Sequence, residues 1–267
     1  MKVDFYKPKN NFLQEYIEGY YFVVEDRHSK PISYFTFPNN FCILSFYQNA
    51  EELFSKNQYL VKSSKHQSIV ASLFSRYSKP IKVIYENFVN EITIYFKPIK
   101  INHFIDDSII FQKGQISNYT PFPDFREKMV TVFQQSCREK QIVLFEDYLL
   151  SKFIKKDFSL IEQILSDLDE GLKLDDISDK YNFTRQYINK IFSKAVGKTP
   201  SEYRKIQRFR NVLTSQRINS KLINLSNNNL YFDQSHFNKD FKELTNSTPS
   251  AFFKKVEIDK ENIWLNL

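Results

Sequence analysis

LYFDQSHFNKDFKELTNSTPSAFFKK, residues 230–255, is the stretch whose reading decides the fold. Phe237, Phe241 and Leu244 recur at i, i+4 and i+7, the spacing of one buried stripe on a helix. Asp233 directly precedes this pattern as a candidate N-cap, and Asn246 followed by Pro249 supplies a stop. Gln234, Ser235, His236, Asn238 and Lys239 fill the remaining positions, and nearly all can hydrogen-bond a base edge or a phosphate. A short helix with an apolar back and such a front fits the second helix of a helix-turn-helix. Any amphipathic surface helix also has a polar face, so this stretch alone does not decide the matter.

A second copy does. LDDISDKYNFTRQYINKIFSKAVGKTPSEYR, residues 174–204, repeats the pattern 48 positions earlier up to the turn and 49 positions earlier beyond it. Leu174, Ile177 and Phe183 match Leu222, Leu225 and Tyr231 as core positions. After the turn, Ile188, Phe192, Thr199 and Pro200 match Phe237, Phe241, Thr248 and Pro249. The extra residue falls in the turn, where an insertion costs least. A duplicated unit with this many matched positions is an internal repeat. The spacing predicts a supporting helix from Asp157 that buries Leu160, Ile161, Ile164, Leu165 and Leu168 and stops at Gly171. It then predicts a positioning helix over 175–181, a turn at 182–184, and a helix over 185–195 capped by Thr184, with Ile188, Ile191, Phe192 and Ala195 inward. Between the copies, Pro200 opens a connecting helix over 201–217 with a stripe of Tyr203, Ile206, Phe209 and Leu213. At roughly 1.5 Å per residue that helix is about 25 Å long. It can therefore set two recognition helices about one DNA turn apart, roughly 34 Å.

With these residues quoted, the chain resembles the AraC/XylS transcription regulators. FDQSHFNKDFKELTNSTPSAFFKK is similar to the signature of that family's second unit, and GKTPSEYRK, Gly197 to Lys205, to the end of its first. The resemblance spans roughly 157–256. It implies a DNA-binding domain of two helix-turn-helix units joined by a long helix, and double-stranded DNA as partner. Carried over position by position, it places Gln186, Asn189 and Lys190 among the base-reading residues, with Thr184, Arg185 and Tyr187 beside them. Gln234, Ser235, His236, Asn238 and Lys239 take that role in the second unit. Two departures stand out: Asn182 and Leu230 occupy the turn positions where the family has glycine, and Ser178 and Ser226 replace a small alanine.

Charge supports a polyanion partner. The chain of 267 residues carries a net charge of +7. Residues 157–180 hold eight acids against two lysines, whereas residues 185–221 hold ten bases against Glu202 alone. Segregation this strong marks a surface facing a polyanion. Arg204, Lys205, Arg208 and Arg210, on the connecting helix, are the candidate phosphate contacts, which fix register without reading sequence. For Arg208 a phosphate is the expected partner, with little effect of its removal on stability.

The first half reads as β-rich. Residues 12–24 suggest a short helix leading into a strand, and residues 31–47 two strands meeting at Pro38-Asn39-Asn40. Further strands are expected at Tyr59–Val61, Ser68–Phe74, Ile81–Tyr85 and Glu91–Phe96, followed by helices over 124–140 and 142–155 with Val143 in the second stripe. This half is similar, more loosely, to the β-barrel sensor domain that precedes AraC-type DNA-binding domains. That likeness implies an unidentified effector, for which Tyr34, Phe35, Phe37, Phe46 and Tyr95 are candidate pocket residues, although core packing also accounts for them. It also implies a homodimer through the covering helices, with simple coverage of the barrel as the alternative, and contact with RNA polymerase if the protein activates.

The expected fold class is α+β with two domains. Residues 1–155 form a β-barrel or sandwich with covering helices, residues 156–256 an all-α double helix-turn-helix domain, and residues 257–267 a tail. Length and a hydrophobic content of 42% suit two cores. No signal peptide or run of about 18 apolar residues is seen, so a cytoplasmic protein without a membrane span is expected. Cys42 and Cys137 read as reduced thiols, the four histidines are dispersed, and neither a metal nor a cofactor is expected. The acidic pairs Glu51-Glu52 and Asp106-Asp107 read as solvated, and no catalytic site is assigned. The alternatives to a sequence-specific regulator are a non-catalytic nucleic-acid or protein interaction module and, less favoured, an enzyme sited in the β-rich half.

Overall fold

The computed structural model describes residues 2–24, 32–106, 108–216, 234–254 and 264–266. Contacts divide the chain into two compact units, the first built from 1–33, 41–75 and 82–156, the second from 34–40, 76–81 and 157–267. The fold is α+β, with strands in the N-terminal half and helices in the C-terminal half.

Strands β1 (Lys2–Tyr6), β2 (Ile17–Val24), β9 (Asn90–Phe96), β4 (Cys42–Gln48), β7 (Ile69–Phe74) and β10 (Gln115–Ile116) form one antiparallel sheet in that order. Strands β8 (Ile81–Tyr85), β6 (Gln58–Ser63) and β5 (Ala50–Ser55) follow one another in a second sheet, where β6 runs parallel to β8. The described strands therefore make two sheets in place of one closed barrel. In the second unit, β3 (Ile32–Thr36) pairs antiparallel with β11 (Trp264–Asn266). The strands expected on either side of Pro38-Asn39-Asn40 exist, but β4 pairs with β7 and β9, so no hairpin forms at that turn.

The central strands β4 and β9 explain the weak alternation of their sequences, because both of their faces are covered. Phe46 opposite Ile92 and Leu44 opposite Ile94 lie in the apolar cluster with helices α2 (Phe125–Phe133) and α3 (Arg138–Ser151). The Phe46 ring lies 6.1 Å from Phe125 and 6.3 Å from Phe145. The alternate residues, Ser45 opposite Thr93 and Tyr47 opposite Glu91, leave by the other face as the pleat requires. There Glu91, 1% exposed, accepts hydrogen bonds from Tyr21, Tyr85 and Thr93. Glu52 accepts from Tyr59 and Ser72 and is half-buried, while Glu51 is exposed and pairs with Lys62. The expectation that both are solvated fails for Glu52, since neighbours on a strand face opposite ways and one of them must point inward. Asp106 is exposed and pairs with Lys156 at 3.0 Å; Asp107 lies outside the described residues. Helix α1 (Asn11–Gln14) is capped by Asn10, and the buried Glu146 of α3 accepts from the backbone N–H groups of Lys9 and Asn10 and from Tyr20.

Helices α2 and α3 break at 134–137, where the sequence stripe put the break at 141, and the inward residues of α3 are Ile142, Phe145, Tyr148 and Leu149. Val143 is 52% exposed. Gln141 donates back to the Gln135 carbonyl across the break, a local bond that hydrophobic spacing does not register. Of the suggested pocket aromatics in the first unit, Phe46 and Tyr95 lie on opposite faces of the sheet. Phe46 sits on the helix side of the sheet, Phe37 packs in the second unit against Phe252 at 5.2 Å, and Tyr95 lies against Tyr21 and Phe41.

Candidate nucleic-acid interface

The second unit holds six described helices: α4 (Ser159–Asp169), α5 (Leu174–Tyr181), α6 (Arg185–Val196), α7 (Pro200–Gln216), α8 (Gln234–Thr245) and α9 (Pro249–Phe253). Their ends are set by the residues the repeat pointed to. Gly171 takes a φ of 93° after α4, and Asn182, standing where the family has glycine, takes φ 54°, ψ 42° after α5. Asparagine tolerates this left-handed conformation better than other side chains with a Cβ, so the departure leaves the turn intact. Thr184 then caps α6, its hydroxyl oxygen accepting from the Tyr187 backbone N–H at 3.2 Å. At the start of α7 the Thr199 hydroxyl accepts from the Glu202 N–H while Glu202 accepts from the Thr199 N–H, a reciprocal cap around Pro200. The repeat partner Thr248 caps α9 ahead of Pro249 in the same way, with Ala251 in place of the glutamate. Asn246, at φ 57°, ends α8 as expected.

Packing follows the stripes with small rotations. Ile161, Ile164, Leu165 and Leu168 are buried and Leu160 is half-buried; Ile188, Phe192 and Ala195 are buried and Ile191 is half-buried. Ile206, Phe209, Val212 and Leu213 of α7 join Phe237, Phe241 and Leu244 of α8 and Phe252 of α9 in one cluster. Asp233, residues 222–229 that repeat the sequence of α5, Leu230 and Arg217 lie outside the described residues.

Helix α6 turns its first turn outward. Arg185, Gln186, Tyr187 and Lys190 are exposed, and Asn189 is half-buried with its amide donating to the Arg185 carbonyl at 2.9 Å. Arg185 pairs with Asp175 at 3.0 Å, both widely exposed, a contact worth little in water. The helix has Arg185, Lys190 and Lys194 and no acidic residue. On α8, Gln234, Ser235, Asn238 and Lys239 are exposed and His236 is half-buried. The two sets of sequence-assigned side chains thus occupy outward faces of two helices with packed backs.

The connecting helix differs from expectation. Arg204 donates to the carbonyls of Leu172 and Gly171, joining α7 to the turn between α4 and α5; burial, then the charge of Arg208, holds its guanidinium below the ordinary arginine value. Next to it Tyr203 donates to Asp169 at 3.0 Å, and burial pushes both groups up. Lys205 pairs with Glu243 at 2.6 Å. Arg210 donates to the carbonyls of Phe37 and Pro38. Arg208 pairs with Asp240 of α8 at 2.9 Å, its side chain only 14% exposed and that of Asp240 9%. The sequence suggested a phosphate as its partner and little effect of its removal on stability; here its guanidinium is engaged by Asp240 in a near-buried pair. Asp240 also receives His236 at 3.3 Å from the preceding turn. Sequence reasoning passed over Asp240, although its place at i+3 from Phe237 puts it on the buried stripe. It also took Phe183 as a core position, whereas Phe183 is 37% exposed and touches the 45% exposed ring of Tyr187 at 4.8 Å. Phe183 lies in the turn, after the last packed residue of α5 and before the cap of α6, where helical spacing no longer assigns a face.

Among the described residues no group of three or more His, Cys, Asp or Glu is placed to hold a metal ion, and no helix is long and apolar enough to cross a membrane. Comparison with known proteins bears on the same region. A family described as a helix-turn-helix domain matches residues 172–255. The Transposon Tn10 TetD protein of Escherichia coli is 31% identical over 86 residues, which is 32% of this chain; the match spans 62% of that relative's length. Among solved structures, ToxT from Vibrio cholerae is similar with a TM-score of 0.47 and 14% identity over 95% of this chain and 98% of that one. ToxT from Vibrio cholerae O395 bound to (E)-4-(8-methylnaphthalen-1-yl)but-3-enoic acid gives a TM-score of 0.46 and 15% identity over 95% and 99%. With the capped turn and the outward face of α6, the match identifies residues 172–255 as a helix-turn-helix domain.

Proposed function

We propose that the chain is a sequence-specific transcription regulator that reads two adjacent major-groove segments through α6 and α8. The observation that carries this reading is α6 itself: a rigidly capped helix, packed on one side, presenting Gln186, Tyr187 and Lys190 with no acidic residue along its length. Glutamine and lysine reach adenine N6/N7 and guanine O6/N7 in the major groove. Thr184 and Arg185 at its start, and Gln234, Ser235, His236, Asn238 and Lys239 on α8, complete the proposed contact set. Arg204, Lys205, Arg208 and Arg210 serve chiefly to hold the helices that carry these contacts.

The β-rich unit belongs to the proposal as its control element. Its interior combines Glu91 with the hydroxyls of Tyr21, Tyr85 and Thr93, chemistry suited to a small polar effector. Val130, Val143 and Leu144 leave apolar side chains exposed on α2 and α3, which favours pairing of two copies through those helices. Contact with RNA polymerase follows if the protein activates. The protein would work in the cytoplasm, where its DNA is.

Selection from a pool of random duplexes, followed by competition, tests the reading. A site of about 20 bp should emerge and survive a large excess of random DNA, as specificity ratios of about 10³–10⁷ require. Loss of binding under that excess would instead identify a non-specific nucleic-acid or protein interaction module.

A further inference from the structure

Phe183 and Tyr187 are the two exposed large hydrophobic side chains among the described residues of the second unit, and they touch each other. Isolated exposed aromatics are ordinary on protein surfaces, but a touching pair at the leading edge of a candidate reading helix is a small, preformed apolar platform. Its position is fixed from both sides. The backbone N–H of Phe183 donates to the Ser178 carbonyl, Asn182 sets the turn, and the Tyr187 N–H is held by the Thr184 cap. Lys190 follows Tyr187 by three residues and Lys194 follows Lys190 by four, so both cations share that side of α6, and both are exposed.

The charge around the platform selects a polyanion, and the platform itself selects an apolar group within that polyanion. In the major groove only one base offers such a group, the 5-methyl of thymine. We propose that Phe183 and Tyr187 read thymine through this methyl group and so determine specificity at one or two positions of the site. The inference rests on the proposed reading of DNA by α6.

The test uses the full chain and a site selected from random duplexes. Each thymine of that site is replaced in turn by deoxyuridine, which removes the methyl group and leaves base pairing and the phosphates unchanged. At one or two positions the affinity should drop about four-fold, the worth of one buried methyl group. In Tyr187→Ala and Phe183→Ala the thymine and deoxyuridine duplexes should bind alike, whereas Tyr187→Phe should keep the difference. The wild-type scan needs no variant, so poor folding of a variant does not shelter the idea. A selected site that tolerates deoxyuridine everywhere, or contains no thymine, overturns this inference alone. Selection of no site at all overturns it together with the reading of the chain as a sequence-specific regulator.

Discussion

Replacing Arg208 by alanine removes one partner of a pair that is nearly shut off from water and leaves the Asp240 carboxylate behind. Breaking a buried pair from one side costs about 3–5 kcal/mol, because the surviving charge has been desolvated without compensation. His236, 3.3 Å from the same carboxylate oxygen, offers partial relief, so the lower end, about 3 kcal/mol, is expected. In a domain of roughly 100 residues each kcal/mol moves Tm by about 4–8 °C, so the transition of the second unit should fall by more than about 10 °C. Differential scanning calorimetry of the full chain measures this. A double variant, Arg208→Met with Asp240→Leu, removes both charges and should recover most of the loss. The slope of log K against log salt should not change in Arg208→Ala, because a guanidinium already neutralised by Asp240 displaces no counterion from DNA. A slope shallower by about one unit would put Arg208 on a phosphate and refute the reasoning, as would a loss below about 1 kcal/mol.

Lys190→Ala should weaken the selected site by about 1–3 kcal/mol and random DNA less, and isotherms on cognate and scrambled duplexes compare the two. Thr184→Ala removes the α6 cap and should cost about 1 kcal/mol in denaturant unfolding, with weakened binding because the helix start loosens. Ser178→Ala should raise stability by about 1 kcal/mol, since the Ser178 hydroxyl is buried without a hydrogen-bond partner among the described residues. Burial raises the Glu91 carboxyl above the usual range despite hydrogen bonds from Thr93, Tyr21 and Tyr85, with Glu52 adding to the rise. The folded state then holds a proton that the unfolded chain has lost. Stability of the first unit should therefore fall as pH rises from the ordinary carboxylate range through the raised value, and Glu91→Gln should flatten that part of the profile. A wild-type unfolding profile that rises across this window would contradict the assignment.

The helical unit was legible because its information is local. A stripe at 3.6 residues per turn, a threonine cap, a left-handed asparagine and a proline at the first helical position each act within a few residues, and the repeat stated them twice. Ile188, Phe192, Phe237 and Phe241 are buried as that pattern requires. Most strands were legible for the same reason, while β1, β5, the short β10 and β11 in the expected tail were missed, their sequences being short or carrying mixed or charged residues where pairing partners supply the stability.

What the sequence could not determine was who faces whom across distance. Arg208, Arg204 and Arg210 read as a basic face, yet Asp240, the carbonyls of Gly171 and Leu172, and those of Phe37 and Pro38 claim them. A guanidinium bonds to whichever acceptor the fold brings within about 3 Å, and these acceptors lie tens of residues or more away in sequence. Which of Glu51 and Glu52 turns inward was likewise decided by the register of β5, since a shift of one residue exchanges the two faces of a strand. Local periodicity by itself determined the helices, their caps and the outward residues of α6; tertiary packing alone decided which charges pair within the chain, because pairing depends on distance in space and not along the chain.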